Sequence, residues 1–309
     1  FKYLLAQPVI VAAVEADQLA HEDIIKLANR FDEVILEMLD TGTDELLASL
    51  DDRVATVTLN RPEKRNALSD RLTPALRQIL LDLELRDDVG CIVITGSGSA
   101  FCAGGDISGL ADNVSADQSK ALSQEAQVRQ LVHRQETLTL RLHNHAKPTI
   151  AALPGVAAGA GFCLALACDL RIACESAFVT TAYRNVGFSG DYGGSWLLNA
   201  LVGPGKTKEL YFTGRRVQSN EALDLGIFNT VVADDALTST VAELARHIAH
   251  GPAVALGYMK ENINRASQAG LQECLALEAD RLVRCAASPD HQEAVSAFME
   301  KRQPVFNKP

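Results

Sequence analysis

KPTIAALPGVAAGAGFCLALACDLRIA, residues 147–173, reads as strand, turn, helix and strand. PTIAALPG is a strand closed by a turn at Pro154-Gly155, and LRIAC is a further strand. Between them AAGAGFCLALACD is a helix of small residues. Strand and helix in alternation build βαβ units, and so an α/β fold.

The same texture extends in both directions. Upstream, VATVTL (54–59) alternates and is β-branched, which predicts a strand. RPEKRNALS (61–69) is a loop and helix start, Leu72 to Leu85 is helical by period, and CIVITG (91–96) is continuously apolar, as expected for a strand covered on both faces. SGSAFCAGGDI (97–107) is a glycine-rich loop, followed by a polar helical stretch from about Ser115 to His145. Downstream of Gly203 the pattern is mostly helical, except for a strand-like TVV near Val231 and a turn at Gly251-Pro252. HQEAVSAFMEKRQP (291–304) is an amphipathic end helix closed by Pro304. Before Arg53 the texture differs. Ile24, Ala28, Phe31, Ile35 and Met38 recur at helical spacing, and Thr41-Gly42-Thr43 reads as a stop. These patterns divide the chain into an N-terminal helical extension (1–50), an α/β core (51–203) and a helical C-terminal region (204–309). The extension carries no recognisable chemistry and is read as packing or oligomer contact.

Composition narrows the class. The 309 residues are 47% hydrophobic and 22% charged, enough to bury a sizeable core. A net charge of −10 argues against general binding to nucleic acid or an anionic membrane. A local basic cluster can still hold an anionic ligand. The seven cysteines lack the paired spacing of a zinc site, and most sit in apolar runs, so no metal is expected. Free thiols imply a reducing, cytoplasmic compartment. The chain begins at Phe1 rather than Met, which leaves an organelle open. No apolar run is long enough to span a bilayer, and AGGD lacks the strand-loop-helix fingerprint of a nicotinamide site.

Four segments in this order resemble the enoyl-CoA hydratase/isomerase (crotonase) family: RPEKRNALS, SAFCAGGDI (99–107), the 147–173 segment, and VGFSGDYGGSWLLNALVG (186–203). LYFTGRRVQSNEALDLGIFNTVV (210–232) resembles the family's TGRRISAEEALRLGLVNRVV segment. The resemblance runs from about Arg53 to Phe306. It implies a ββα spiral with a helical C-terminal trimerisation region, assembled as a homotrimer or a dimer of trimers. It also implies an acyl-CoA thioester as substrate, with coenzyme A part of that substrate and no bound cofactor. A thioester enolate needs two hydrogen-bond donors aimed at one oxygen, and backbone N–H groups at glycine-rich turns supply them. By resemblance the donors are the amides of Gly105 and Ala160, the second a position where the family usually has glycine. Lys64, Arg65, Ala67, Ala103, Asp106 and Ile107 then line the CoA groove. The two basic residues also fit a solvated surface pair, and Asp106 a structural cap.

One departure stands out. Hydratases of this family use two glutamates, because one group must activate water while another supplies a proton. Here those positions fall on Cys163 and, by a looser match, Tyr183. The resemblance still places both beside substrate. Cys163 also reads as a buried structural thiol, since no neighbouring cation activates it, and Tyr183 as a hydrogen-bond donor or a packing residue. The acid in the right neighbourhood is Asp191, in GFSGDYGG. Its local alternative is an N-cap of the following helix. A lone carboxylate beside a stabilised enolate suits proton shuttling, hence double-bond isomerisation or a related lyase step. Two rivals are a hydrolase or dehalogenase with Asp191 as nucleophile, and a catalytically silent CoA-binding subunit.

Overall fold

Two sheets grow side by side along this chain, because each repeat contributes a strand to both. The computed structural model describes residues 36–106 and 122–307. The strands are β1 (Glu37–Leu39), β2 (Leu46–Asp51), β3 (Val54–Leu59), β4 (Cys91–Gly96), β5 (Ala100–Cys102), β6 (Thr149–Leu153), β7 (Val156–Ala158), β8 (Leu170–Cys174), β9 (Phe178–Thr180), β10 (Val217–Gln218) and β11 (Thr230–Val232). The larger sheet has the order β1-β2-β3-β4-β6-β8-β11 and the smaller β10-β9-β7-β5. Between β3 and β8 the larger sheet is parallel, and so is the smaller from β5 to β9.

Helices separate the strand pairs. After β3 comes α1 (Leu72–Glu84), and after β5 comes α2 (Gln124–Gln135), which continues through a π-helical turn, Glu136–Leu140, into Arg141–His143. After β7 comes α3 (Ala160–Ala167), and after β9 comes α4 (Gly194–Thr213). The result is a spiral of strand, strand and helix. Its core explains the sequence texture. β4 and β6 are buried along nearly their whole length, which is why CIVITG and TIAAL do not alternate. α1 buries Leu72, Leu76, Ile79, Leu80 and Leu83, one face at helical spacing. α3 is buried on every side, and where it meets β5 only the smallest residue fits. A Cβ on Gly161 would come within 2.7 Å of the Cys102 sulfur and 2.6 Å of its Cβ, closer than packed atoms tolerate.

The remaining helices are α5 (Ser219–Asp224), α6 (Leu237–Ala249), α7 (Ala253–Ala266), α8 (Leu271–Ala286) and α9 (Pro289–Glu300). α6 covers the larger sheet, packing on β3, β4, β6 and β8. α7 and α8 bury no residue, and Ile263, Leu282, Val283 and Phe298 stand exposed. Among the described residues no helix is long and apolar enough to cross a membrane. All seven cysteines are free thiols.

Two expected boundaries move. The division at residue 50 falls inside β2, one residue before its end, yet β2 and β3 pair residue for residue as a hairpin, so the α/β core begins before Arg53. Its tight turn uses Asp52 (φ 45°) and Arg53 (φ 66°). Met38, read as part of a helix, lies in β1. The rest of that helix, at Ile24, Ala28, Phe31 and Ile35, lies outside the described residues, as does Ile107. The division at 203 falls inside α4, at a kink where Gly203 has φ 73° before Pro204. Beyond it β10 pairs with β9 and β11 with β8, so the C-terminal region also completes both sheets. The loop expected at SAFCAGGDI begins as a strand, β5.

Candidate active site

Two turns meet at the edge of the smaller sheet. The first follows β5. Gly104 has φ 96°, and a Cβ there would lie 2.8 Å from the Ala158 carbonyl and 3.5 Å from the Ala160 nitrogen. Only glycine fits so close an approach. The next residue, Gly105, forms a bridge with Leu68 that uses the Gly104 carbonyl (2.8 Å to Leu68 N) and the Asp106 amide (3.0 Å to Leu68 O). The Gly105 N–H stays outside that bridge, and a Cβ on Gly105 would meet nothing within 4 Å. The second turn opens α3. Gly159 takes the left-handed strain (φ 50°) as N-cap, so Ala160 begins the helix without positive φ. That is why alanine stands there. As the first helical residue, Ala160 has an N–H with no intrahelical partner, at the positive end of the helix dipole. The structure thus brings Gly105 and Ala160 onto adjoining turns.

The loop before α1 is sewn to the first turn. Lys64 ends a short 3₁₀ turn, Pro62–Lys64, and Arg65 (φ 49°) and Asn66 (φ 57°) reverse the chain. The Ala103 N–H donates to the Arg65 carbonyl at 2.9 Å. Lys64 and Arg65 are exposed and Ala67 is buried. Asp106 accepts from Arg61 Nη2 at 3.0 Å, while Arg61 Nη1 donates to the Ala67 carbonyl at 2.7 Å. Asp106 is therefore ion-paired across the two loops. Asn66, fully buried, accepts from the Arg61 amide (2.9 Å) and donates to the carbonyls of Ser97 (2.9 Å) and Ala100 (2.8 Å). Sequence reading passed over Arg61 as a site residue and gave Asn66 no role of its own. Their partners lie 45 and about 30 positions away, and no local pattern announces them.

One turn into α3, Cys163 points at the other half of the site. Its sulfur lies 3.1 Å from Tyr183 Oη, so the looser of the two glutamate matches is a spatial neighbour of the firmer one. Tyr183 lies 3.8 Å from where a Cβ on Gly159 would stand. Tyr183 Oη donates to Asp191 Oδ1 at 2.6 Å. Asp191 itself sits half-buried in a contorted turn, with Gly190 at φ 115°, Tyr192 at 47° and Gly193 at 75°. A bulky residue in left-handed backbone is an outlier that the surroundings must enforce. The N-cap of α4 is Gly193, and no side chain caps it. Asp191 meets the helix only through its backbone carbonyl, which accepts from Gly194 N at 3.1 Å. The cap reading of its carboxylate therefore does not hold. Gly194 is pinned as well, since a Cβ there would come 2.5 Å from Cys163 Sγ and 2.7 Å from Tyr211 Oη.

Burial sets the electrostatics. It pushes the Asp191 carboxyl above the usual carboxylate range, and the Tyr183 hydrogen bond pulls it part of the way back. It pushes the Cys163 thiol up to about 12, which keeps that group protonated. Tyr183 is also raised, first by burial and then by Cys163 and Asp191 beside it. The two histidines before Lys147 stay apart from this cluster. His145 is buried, its Nε2 at 3.1 Å from the Leu80 carbonyl, and His143 packs edge-on against Trp196.

Comparison with known proteins gives the family. The family described as enoyl-CoA hydratase/isomerase matches residues 50–309. The chain is 37% identical over 262 residues to the 1,2-epoxyphenylacetyl-CoA isomerase of Escherichia coli K12, covering 84% of this chain and 97% of that protein. It is 32% identical over 255 residues to 4-chlorobenzoyl coenzyme A dehalogenase-1 of an Arthrobacter species, covering 81% of this chain and 88% of that one. The crystal structure of an enoyl-CoA hydratase from Polaromonas sp. JS666 superposes with a TM-score of 0.78 at 33% identity, over 84% of this chain and 99% of that one. The spiral fold, the adjoining glycine turns and these relatives make the chain a member of the enoyl-CoA hydratase/isomerase, or crotonase, family.

Proposed function

We propose that this crotonase-family enzyme is an acyl-CoA isomerase in which Asp191 is the base. The observation that carries the reading is the half-buried Asp191 carboxylate, 2.6 Å from Tyr183 Oη, in a cluster whose two glutamate positions hold Cys163 and Tyr183. The thioester oxygen accepts from the Gly105 and Ala160 amides. Asp191 takes a proton from one carbon of the acyl chain, and the electron pair left behind is delocalised onto that oxygen as an enolate. The carboxylic acid then returns its proton to a different carbon, and the double bond has moved. One group serves both transfers, so no second carboxylate is needed. The raised affinity of Asp191 for a proton suits it to that work near neutral pH. The similarity to the Escherichia coli isomerase supports the same class.

Lys64, Arg65, Ala67, Ala103, Asp106 and Ile107 form the CoA groove in this reading. Asp106 acts there as the ion-pair partner of Arg61. Coenzyme A arrives as part of the substrate, and the reaction calls on no bound cofactor. The exposed apolar residues of α7 to α9, such as Ile263 and Phe298, fit a homotrimer or a dimer of trimers. Light scattering at micromolar concentration tests that, a monomer being the adverse result. The free thiols fit a cytoplasmic setting.

The test of the reaction is a panel of enoyl-CoA thioesters followed by ultraviolet absorbance and mass. Isomerisation changes the spectrum and conserves mass. Hydration adds water, and hydrolysis releases free coenzyme A. The dehalogenase relative motivates one more arm, turnover in isotopically labelled water. Label on the Asp191 carboxylate would mean that Asp191 attacks as a nucleophile, and would overturn the isomerase reading.

A further inference from the structure

Three groups stand in line between α3 and the Asp191 turn, and their proton inventory fixes the direction of every bond. An ionised carboxylate only accepts. Tyr183 Oη has one proton and two neighbours, Asp191 Oδ1 at 2.6 Å and Cys163 Sγ at 3.1 Å. The carboxylate is the stronger acceptor and the shorter contact, so the proton goes there. The thiol keeps its proton and has two acceptors in reach, the lone pair of Tyr183 Oη and the Asp191 carbonyl at 3.5 Å. Among the described residues no other donor is bonded to the carboxylate. We infer that Cys163 and Tyr183 are positioning residues forming a one-way hydrogen-bond chain that ends on Asp191 Oδ1, which leaves Oδ2 as the oxygen that meets the substrate. This rests on the reading of Asp191 as the base.

Burial supports a role through Asp191 rather than contact with substrate, since Tyr183 is 7% exposed and Cys163 1%. The pinning of Gly194 against Cys163 Sγ and Tyr211 Oη fixes the turn to the same helix. The other titratable groups facing Asp191 are Tyr192 on its own turn and Tyr211 on α4, and Arg77 on α1 and Arg134 on α2 face Tyr192.

The test reads the Asp191 carboxyl directly, in the free full-length protein. Carbon-13 NMR of aspartate-labelled protein follows its titration, the Asp191 signal being assigned by its loss in Asp191→Asn. With Tyr183→Phe the carboxylate loses its donor and only burial remains, so its titration moves to higher pH. Cys163→Ala moves it the same way by less, and Cys163→Ser, which restores a donor of similar size, recovers most of that shift. If Tyr183→Phe does not fold, the Cys163 pair decides the matter. Titration unchanged in Tyr183→Phe, or in Cys163→Ala where that pair decides, overturns the chain. Wild-type turnover by Asp191→Asn would instead overturn the base, whatever the NMR shows.

Discussion

The two glycine-bearing turns at the candidate site hold their working groups by opposite means. The Ala103–Asp106 turn is fixed by backbone: Ala103 N to Arg65 O, Leu68 N to Gly104 O, Asp106 N to Leu68 O, with Arg61 closing over Ala67 and Asp106. What it offers is an amide, that of Gly105. The Gly190–Gly194 turn has a single backbone bond closing it, Gly194 N to Asp191 O, and three residues at positive φ. What it offers is a side chain, held by Tyr183 from elsewhere in the fold. In the proposed mechanism the first device stabilises an enolate whatever is done with it. The second decides what is done, and there this chain departs from a two-glutamate hydratase.

That contrast can be broken from either side. Apart from Asp191 itself, the largest effect is expected at Gly104→Ala. The new Cβ collides with the Ala158 carbonyl at 2.8 Å in a backbone conformation that alanine resists, so the Gly105 amide moves off target. Losing one such donor typically costs about 10²- to 10³-fold in kcat, measurable by steady-state kinetics on whichever thioester the panel identifies. Asn66→Ala comes next and acts on stability. It orphans the Arg61 amide and the Ser97 and Ala100 carbonyls around a buried site. A loss of about 2–3 kcal/mol is expected, read as a lower melting temperature. Should Asn66→Ala melt like the wild type, the loops are not clamped as described. The smallest effect belongs to Lys64→Ala. This exposed cation should raise KM for a CoA thioester roughly two- to five-fold at low salt, and the difference should vanish as ionic strength rises.

Much of this was legible before the fold was seen, for identifiable reasons. Backbone chemistry leaves a strong mark in sequence, because glycine at 104 or 161 is demanded by atoms within 3 Å. Strands leave one too: β4 falls on the continuous apolar run CIVITG, β3 on the alternating VATVTL, and β6 and β8 on the segments read as strands. The β2–β3 hairpin was missed because its turn residues, Asp52 and Arg53, are left-handed without the glycine or asparagine that signals such turns. The short strands β5 and β7 were missed, β5 read as loop and most of β7 as the start of the following helix, because three residues are too few to show a period. In the site, Asp191, Cys163 and Tyr183 were each visible, but not the bonds joining them. Nothing local says that a tyrosine eight residues before an aspartate turns its hydroxyl back onto it.

The central claim is that Asp191 moves the proton, and Asp191→Asn tests it most directly. The amide keeps the size of the carboxyl and can still accept from Tyr183, and the Gly105 and Ala160 amides are untouched. It cannot take up a proton near neutral pH. Stability supplies the control. Burial raises the folded-state affinity of Asp191 for its proton, so the ionised carboxylate destabilises the fold above that pKa and the cost is relieved as pH falls. Asparagine removes the cost, and the melting temperature at neutral pH should not fall. The account predicts unchanged acyl-CoA affinity, an intact fold and a turnover lower by about 10²- to 10⁴-fold. A variant that turns over its thioester at the wild-type rate would contradict it.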